Sequence, residues 1–182
     1  QGYFELSAVA QIEGVAYRNS LPLRVLRPSA QTALNPGSSI GINGHLASVP
    51  EMEMMQRGGI KWMRADWLWS ACQPQAGDFN WKTLDSRYGA ARKAGISLLP
   101  ILCYGVPWAS TKPEGATGDA SRYIPRMEAW LAYVKAVVGR YKEGIHYWEV
   151  WNEPNIGFWL SSNEDYVRLL KETYTAIKQV DP

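Results

Sequence analysis

The residues best suited to chemistry lie in Trp148-Glu149-Val150-Trp151-Asn152-Glu153-Pro154-Asn155. An apolar strand here runs into Asn-Glu-Pro. In parallel α/β folds, functional groups gather at the C-terminal ends of strands, where Glu153 would stand. Pro154 cannot continue the ladder and restrains the turn that presents the carboxyl. Strand alternation puts Glu149, Trp151 and Glu153 on one side and Val150 and Asn152 on the other, up to the strand's end. A carboxyl so placed can protonate a leaving oxygen. Cleavage between sugars needs two such groups, one to protonate and one to attack or to activate water. Asn152 offers a neutral amide beside the acid, able to bind a sugar hydroxyl without changing the charge balance. As a bare tripeptide, Asn152-Glu153-Pro154 reads equally as a turn that ends a strand, because short motifs match by chance.

From residue 40 onward, short apolar runs alternate with amphipathic helices. The runs are Ile40–Ile42, Ile60–Met63, Ile96–Leu102 and Ile145–Trp151. Gly95 and Gly144 precede two of them, where helix C-caps are expected. Helices are predicted over Pro50–Arg57, Trp81–Ala94 and Ser121–Lys142, and from Ser162, whose hydroxyl caps the last with Asp165 in a capping-box position. Strand–helix alternation implies parallel strands joined by crossover helices. Four such units fit into 40–182, whereas a complete eightfold barrel needs about 250 residues. The alternation alone is compatible with a small four-stranded sheet or with the first half of a barrel. Residues 1–28 differ: near period-two spacing of Tyr3, Leu6, Ala8, Ala10 and Ile12, and again of Leu21, Leu23 and Val25, predicts a hairpin with a polar connection around Glu13–Asn19. Two strands are marginal alone, so 1–28 is expected to be the remnant of a β-sandwich. Residues 29–39, rich in Ser, Pro, Gly and Asn, read as a linker.

Composition excludes several classes. Lys plus Arg number 19 against 17 Asp plus Glu, with no basic run, so neither nucleic acid nor an anionic membrane is called for. No apolar stretch reaches transmembrane length. Nine Trp are many for 182 residues; they serve a Trp-rich core or stacking surfaces for sugar rings. Cys72 and Cys103 have no metal-ligand spacing and read as buried free thiols, with a disulfide open because both lie near ends of neighbouring strands.

The strand-four run Trp151-Asn152-Glu153-Pro154-Asn155 resembles the acid/base motif of glycoside hydrolase clan A, whose members are retaining (β/α)₈ barrels. Other segments agree in order. Gly41-Ile42-Asn43-Gly44-His45 looks like the clan's first strand. Ile60-Lys61-Trp62-Met63-Arg64-Ala65-Asp66 with Trp69 and Gln73–Trp81 looks like the second. Leu99–Cys103 with Tyr104-Gly105-Val106-Pro107-Trp108-Ala109-Ser110 looks like the third. The likeness is greatest to family 39 and related cellulase-like enzymes, and it covers 40–182.

The resemblance implies an α/β fold made of the first half of a TIM barrel, and a parent enzyme that cuts a polysaccharide or oligosaccharide with no metal and no cofactor. It implies Glu153 as the acid/base and Asn152 as a ligand of the hydroxyl beside the reacting carbon. Arg64 would lie beneath the site and hold the nucleophilic carboxylate ionised, or else form a structural ion pair with Asp66 or another barrel carboxylate. His45, at the mouth of strand one, would contact sugar hydroxyls or simply pack. Trp108 and Trp159, beyond strands three and four, are expected as subsite floors, with Tyr104 as a weaker contact. His146 begins strand four, at the wrong end, and reads as structural. The clan's nucleophile ends strand seven, which these residues do not contain. The chain is therefore expected to hold half an active site and to be inactive alone. Its partner would be the other half-barrel, or another copy joined through open strand edges. Extracellular or cell-envelope location follows from the size of the substrate. The rival reading is a non-catalytic carbohydrate-binding module.

Overall fold

The computed structural model describes residues 2–25, 38–45 and 48–182. Strands β1 (Gly2–Ile12) and β2 (Val15–Val25) form an antiparallel hairpin. Its connection is only Glu13-Gly14, both with positive φ (50° and 80°), as a two-residue type I′ turn requires. The second strand thus begins earlier than the polar run Glu13–Asn19 suggested; Gly14 supplies the turn, and the polar residues after it lie in the strand. The linker expected over 29–39 lies, apart from Ser38 and Ser39, outside the described residues.

The remaining strands are β3 (Gly41–Asn43), β4 (Trp62–Leu68), β5 (Ser97–Cys103) and β6 (Glu149–Val150). They form one parallel sheet in the order β3-β4-β5-β6. Each is followed by a helix: α1 (Val49–Arg57) after β3; the short α2 (Trp69–Cys72) and α3 (Lys82–Ala94) after β4; α4 (Met127–Tyr141) after β5; and α5 (Asn163–Val180) after β6. The helix starts follow local chemistry. Ser48 with Glu51, and Ser162 with Asp165, form complete capping boxes. Gly95 ends α3 at φ 67°, a left-handed cap that glycine adopts without steric cost.

Several boundaries differ from expectation: the second strand, for one, runs Trp62–Leu68, past the apolar run Ile60–Met63. The third helix begins at Met127, because Pro125 lacks an N–H and pushes Ile124 out of the helical region. The preceding segment instead bridges Ser110 to Pro125, and Arg126 N donates to Ala109 O at 2.7 Å. The fourth strand is two residues long, not seven; residues 145–148 approach it without pairing. Gly144 is not among the residues with positive φ, so it makes no left-handed cap.

Alternation along β4 sorts the two faces. Met63, Ala65 and Trp67 are buried under the helices, while Trp62, Arg64 and Asp66 occupy the opposite, partly open face. The helix-side core joins these to Leu98 and Leu102 of β5, Leu84 and Ala91 of α3, and Tyr133, Val134 and Val137 of α4. Two of its polar groups are paired where helices dock: Tyr133 Oη donates to Trp67 O at 2.6 Å, and Trp130 Nε1 donates to Thr173 Oγ1 at 2.7 Å between α4 and α5, whereas the buried Trp67 indole N–H has no partner among the described residues. Thr173→Val keeps the volume but strands that buried indole N–H. The expected cost is about 1–3 kcal/mol in urea unfolding; an unchanged midpoint would show that the α4–α5 contact does not depend on this bond. No helix among the described residues is long and apolar enough to cross a membrane.

Candidate active site

The site is built on the open face, at the C-terminal ends of the strands. Parallel register carries Asp66 of β4 to Ile101 of β5, and Ile101 to Glu149 of β6. Arg64, two residues earlier on β4, therefore lies on the same face as Glu149 and reaches it across β5. Its Nε donates to Glu149 Oε2 at 2.7 Å and its Nη2 to Oε1 at 2.5 Å, a two-point fork. Nη1 donates to Asn43 Oδ1 of β3 at 3.1 Å, and Nη2 also donates to Asn152 Oδ1 at 2.9 Å. One guanidinium thus ties together β3, β4, β6 and the turn after β6. Of the two roles expected for Arg64, the ion pair with a barrel carboxylate is present, and the carboxylate is Glu149.

The turn after β6 is strained. Trp151 and Glu153 have φ of 66° and 45°, values that bulky side chains adopt only when their surroundings impose them. Trp151 N still donates to Leu102 O at 3.0 Å, so the chain leaves the ladder only at this residue. The indole then turns toward the helices and is buried, edge-on to Trp159 at 4.9 Å and to Tyr104 at 5.5 Å, with Nε1 bonded to Phe158 O. Simple alternation, which grouped Trp151 with Glu149, fails here. Left-handed backbone at Trp151 sends its side chain to the core and returns Asn152 to the face of Arg64. Asn152 Nδ2 donates to Tyr104 Oη at 3.2 Å and approaches Glu153 Oε2 at 3.4 Å. Glu153 itself is exposed at the strand end. Burial raises the Tyr104 phenol above its ordinary range, while the Asn152 bond works the other way, so the hydroxyl stays protonated at neutral pH.

Arg64, Asn152, Glu153 and Tyr104 are therefore brought together. His45 stands at the mouth of β3, largely exposed, its Nδ1 4.0 Å from Asp66 Oδ2. Trp159 is not a floor: it is 6% exposed, and its Nε1 is tied to Ser162 O, so neither ring face is free for a sugar. Trp108 is half-buried, edge-on to Trp69, with Nε1 donating to Gln73 O, and it packs against the core. Both Trp residues lie beyond strand ends as expected; Trp159 is covered, whereas Trp108 keeps part of its surface exposed. Cys72 and Cys103 are free buried thiols, with Cys72 pushed up to about 12 by burial. His146 Nδ1 lies 3.7 Å from Asp181 Oδ2, which ties strand-four entry to the end of α5.

Three participants were not singled out from the sequence. Glu149 and Asn43 are the partners of Arg64; facing positions on parallel strands would have shown this once register was known. Phe158 stacks on Tyr104 at 5.7 Å, with the Arg122 guanidinium 5.5 Å from its ring centre. Its only signal in the sequence is an aromatic residue shortly after the Asn-Glu-Pro turn.

No protein-family model matches the chain. Over 85 residues, 47% of the chain, it is 32% identical to endo-1,4-beta-xylanase 1 of Gibberella zeae, and this stretch is 23% of that protein. A family 39 glycoside hydrolase from Bacteroides cellulosilyticus WH2 superposes on the whole chain with a TM-score of 0.72 at 22% identity, the chain covering 37% of it. A monomeric beta-xylosidase of Caulobacter crescentus CB15 superposes on 79% of the chain with a TM-score of 0.63 at 23% identity, and 34% of that enzyme is covered. Four parallel strands, each followed by a helix, with Asn152 and Glu153 at the end of the fourth, thus give this chain the fold of the first four β/α units of a (β/α)₈ barrel, the architecture it shares with these glycoside hydrolases.

Proposed function

We propose that the chain supplies the acid/base half of a retaining glycoside hydrolase, within a longer enzyme that closes the barrel. The observation that carries this reading is the strained turn at 151–153. It presents Glu153 at the strand end, beside an amide that Arg64 holds in place. Glu153 would protonate the leaving oxygen and then activate water. Asn152, whose Nδ2 faces Tyr104 Oη and Glu153 Oε2, would bind the hydroxyl next to the reacting carbon, and Tyr104 with Phe158 would border the sugar. The second carboxylate would come from residues beyond these. The relatives' names favour β-linked xylose polymers or oligomers as substrate, acted on outside the cell because polymers do not cross membranes. Without the rest of the barrel, the outer strands β3 and β6 are open, so the isolated chain would self-associate. The hairpin carries exposed Val9, Val15, Tyr17 and Leu21, which fits a sandwich completed by other strands.

The test is the stereochemistry of hydrolysis. Proton NMR of a β-xyloside digested by the full-length enzyme should show the β anomer first. The α anomer first, or binding without turnover, would overturn the reading, the latter in favour of a binding module.

A further inference from the structure

Arg64 grips a carboxylate that the acid/base reading leaves unused. We propose that Glu149 is a positioning residue, which through Arg64 fixes the Asn152 amide so that its nitrogen, not its oxygen, faces Glu153. This rests on Glu153 being the acid/base.

A guanidinium only donates hydrogen bonds, whereas the two ends of an amide have nearly the same shape and opposite polarity. The atom of Asn152 that meets Arg64 Nη2 at 2.9 Å must therefore be its oxygen, and its nitrogen is left for Tyr104 Oη and Glu153 Oε2. Neither of those two can choose the orientation, because a phenol and a carboxyl that gains and loses a proton can each donate or accept. The choice rests on Arg64, and the plane of Arg64 is set by its fork on Glu149. Asn43 adds a third, neutral anchor.

Charge gives Glu149 a second reason to be there. An acid/base must hold its proton before the first step, and a bare guanidinium nearby would pull that proton off. The charged and titratable groups that act on Arg64 are Glu149, Asp66, Glu153 and Cys103, with His45 beside Asp66, Tyr104 beside Asn152 and Tyr166 near Glu149. Among them only Glu149 spends both carboxylate oxygens on Arg64. Arg64 is held above its ordinary range first by that hydrogen bond, against burial, and then by the charges of Glu149, Asp66 and Glu153.

The experiment uses the full-length enzyme and follows the Glu153 carboxyl by carbon-13 NMR, its signal identified by loss in Glu153→Gln. Glu149→Gln removes the carboxylate that Arg64 grips with two nitrogens, so Glu153 should titrate at lower pH than in the unaltered enzyme. The basic limb of kcat/KM should move down with it. Turnover of alkyl glycosides should fall about tenfold, with KM little changed and activated aryl glycosides less affected. Glu149→Asp restores the charge and should return the titration toward the starting value. An unmoved Glu153 titration in folded Glu149→Gln overturns the proposal. So does an equal loss on all substrates with an unmoved pH limb, the signature of a merely structural ion pair. If Glu149→Gln does not fold, Arg64→Lys keeps the charge but loses the fork; undiminished turnover of alkyl glycosides there also overturns it. A titration shift in a protein that cleaves no glycoside would confirm the coupling but sink the acid/base reading, and the positioning role with it.

Discussion

Glu153→Gln in the full-length enzyme is expected to slow cleavage of glycosides with alkyl or sugar leaving groups by about 10²–10⁴-fold, the usual range for a lost general acid. Glutamine keeps the shape and the contact with Asn152 but has no proton to give. Such leaving groups depart as alkoxides unless protonated, so for them the step that breaks the glycosidic bond becomes limiting. A nitrophenolate leaves unaided and should show little change in that step. Binding of an unreactive oligosaccharide should be nearly preserved, because Arg64, Asn152 and Tyr104 remain linked. Single-turnover rates on both kinds of substrate read the difference. Equal loss on both would remove Glu153 from the acid role.

The 182 residues alone are expected to show no glycosidase turnover at all. A retaining mechanism needs two carboxyls about 5–5.5 Å apart across the bond. Among the described residues Glu164 lies exposed in the first turn of α5, and the other carboxylates near the strand ends or on α5 are placed for other work. Glu149 forks onto Arg64. Asp66 lies beside His45. Asp165 caps α5 by accepting from Ser162 N. Glu172 pairs with Arg168 one turn away on the helix exterior, and Asp181 sits by His146 at the far end of β6. Assay of the purified chain on β-linked aryl glycosides and xylan, with size measured by light scattering, checks this. Turnover that vanishes in Glu153→Gln would mean that a second carboxylate is supplied within these residues or across a pair of chains.

Much of this was legible before any coordinates. Apolar runs alternating with 3.6-period helices specify a parallel sheet, since burying both faces of a strand and one face of a helix leaves few other arrangements. The capping box at Ser162 and the left-handed Gly95 act through local chemistry, so they read directly from residue type, whereas the box at Ser48 was not foreseen. Asn152 and Glu153 were legible because a strand end followed by proline is a local signal. What stayed hidden depended on distant parts of the chain. Glu149 meets Arg64 across 85 residues, through register that no local pattern records. Trp159 was misplaced because the fold of the loop, not position after a strand, decides whether an indole is covered. Trp151 overrode alternation because edge contacts with Trp159 and Tyr104 and a tilted contact with Trp130 offset the cost of left-handed backbone.

In the proposed mechanism Glu153 serves as acid/base for an enzyme whose nucleophile is another carboxylate. This role is tested most directly by adding azide to full-length Glu153→Gln with an activated aryl β-xyloside. With the acid/base gone, a glycosyl-enzyme formed on the other carboxylate waits for water that no base activates. Azide needs no base: it attacks the anomeric carbon, breaks the ester bond to the nucleophile and releases the carboxylate. The predicted result is faster turnover with added azide and a xylosyl azide of unchanged β configuration. No azide adduct, or an adduct of inverted configuration, would contradict the account.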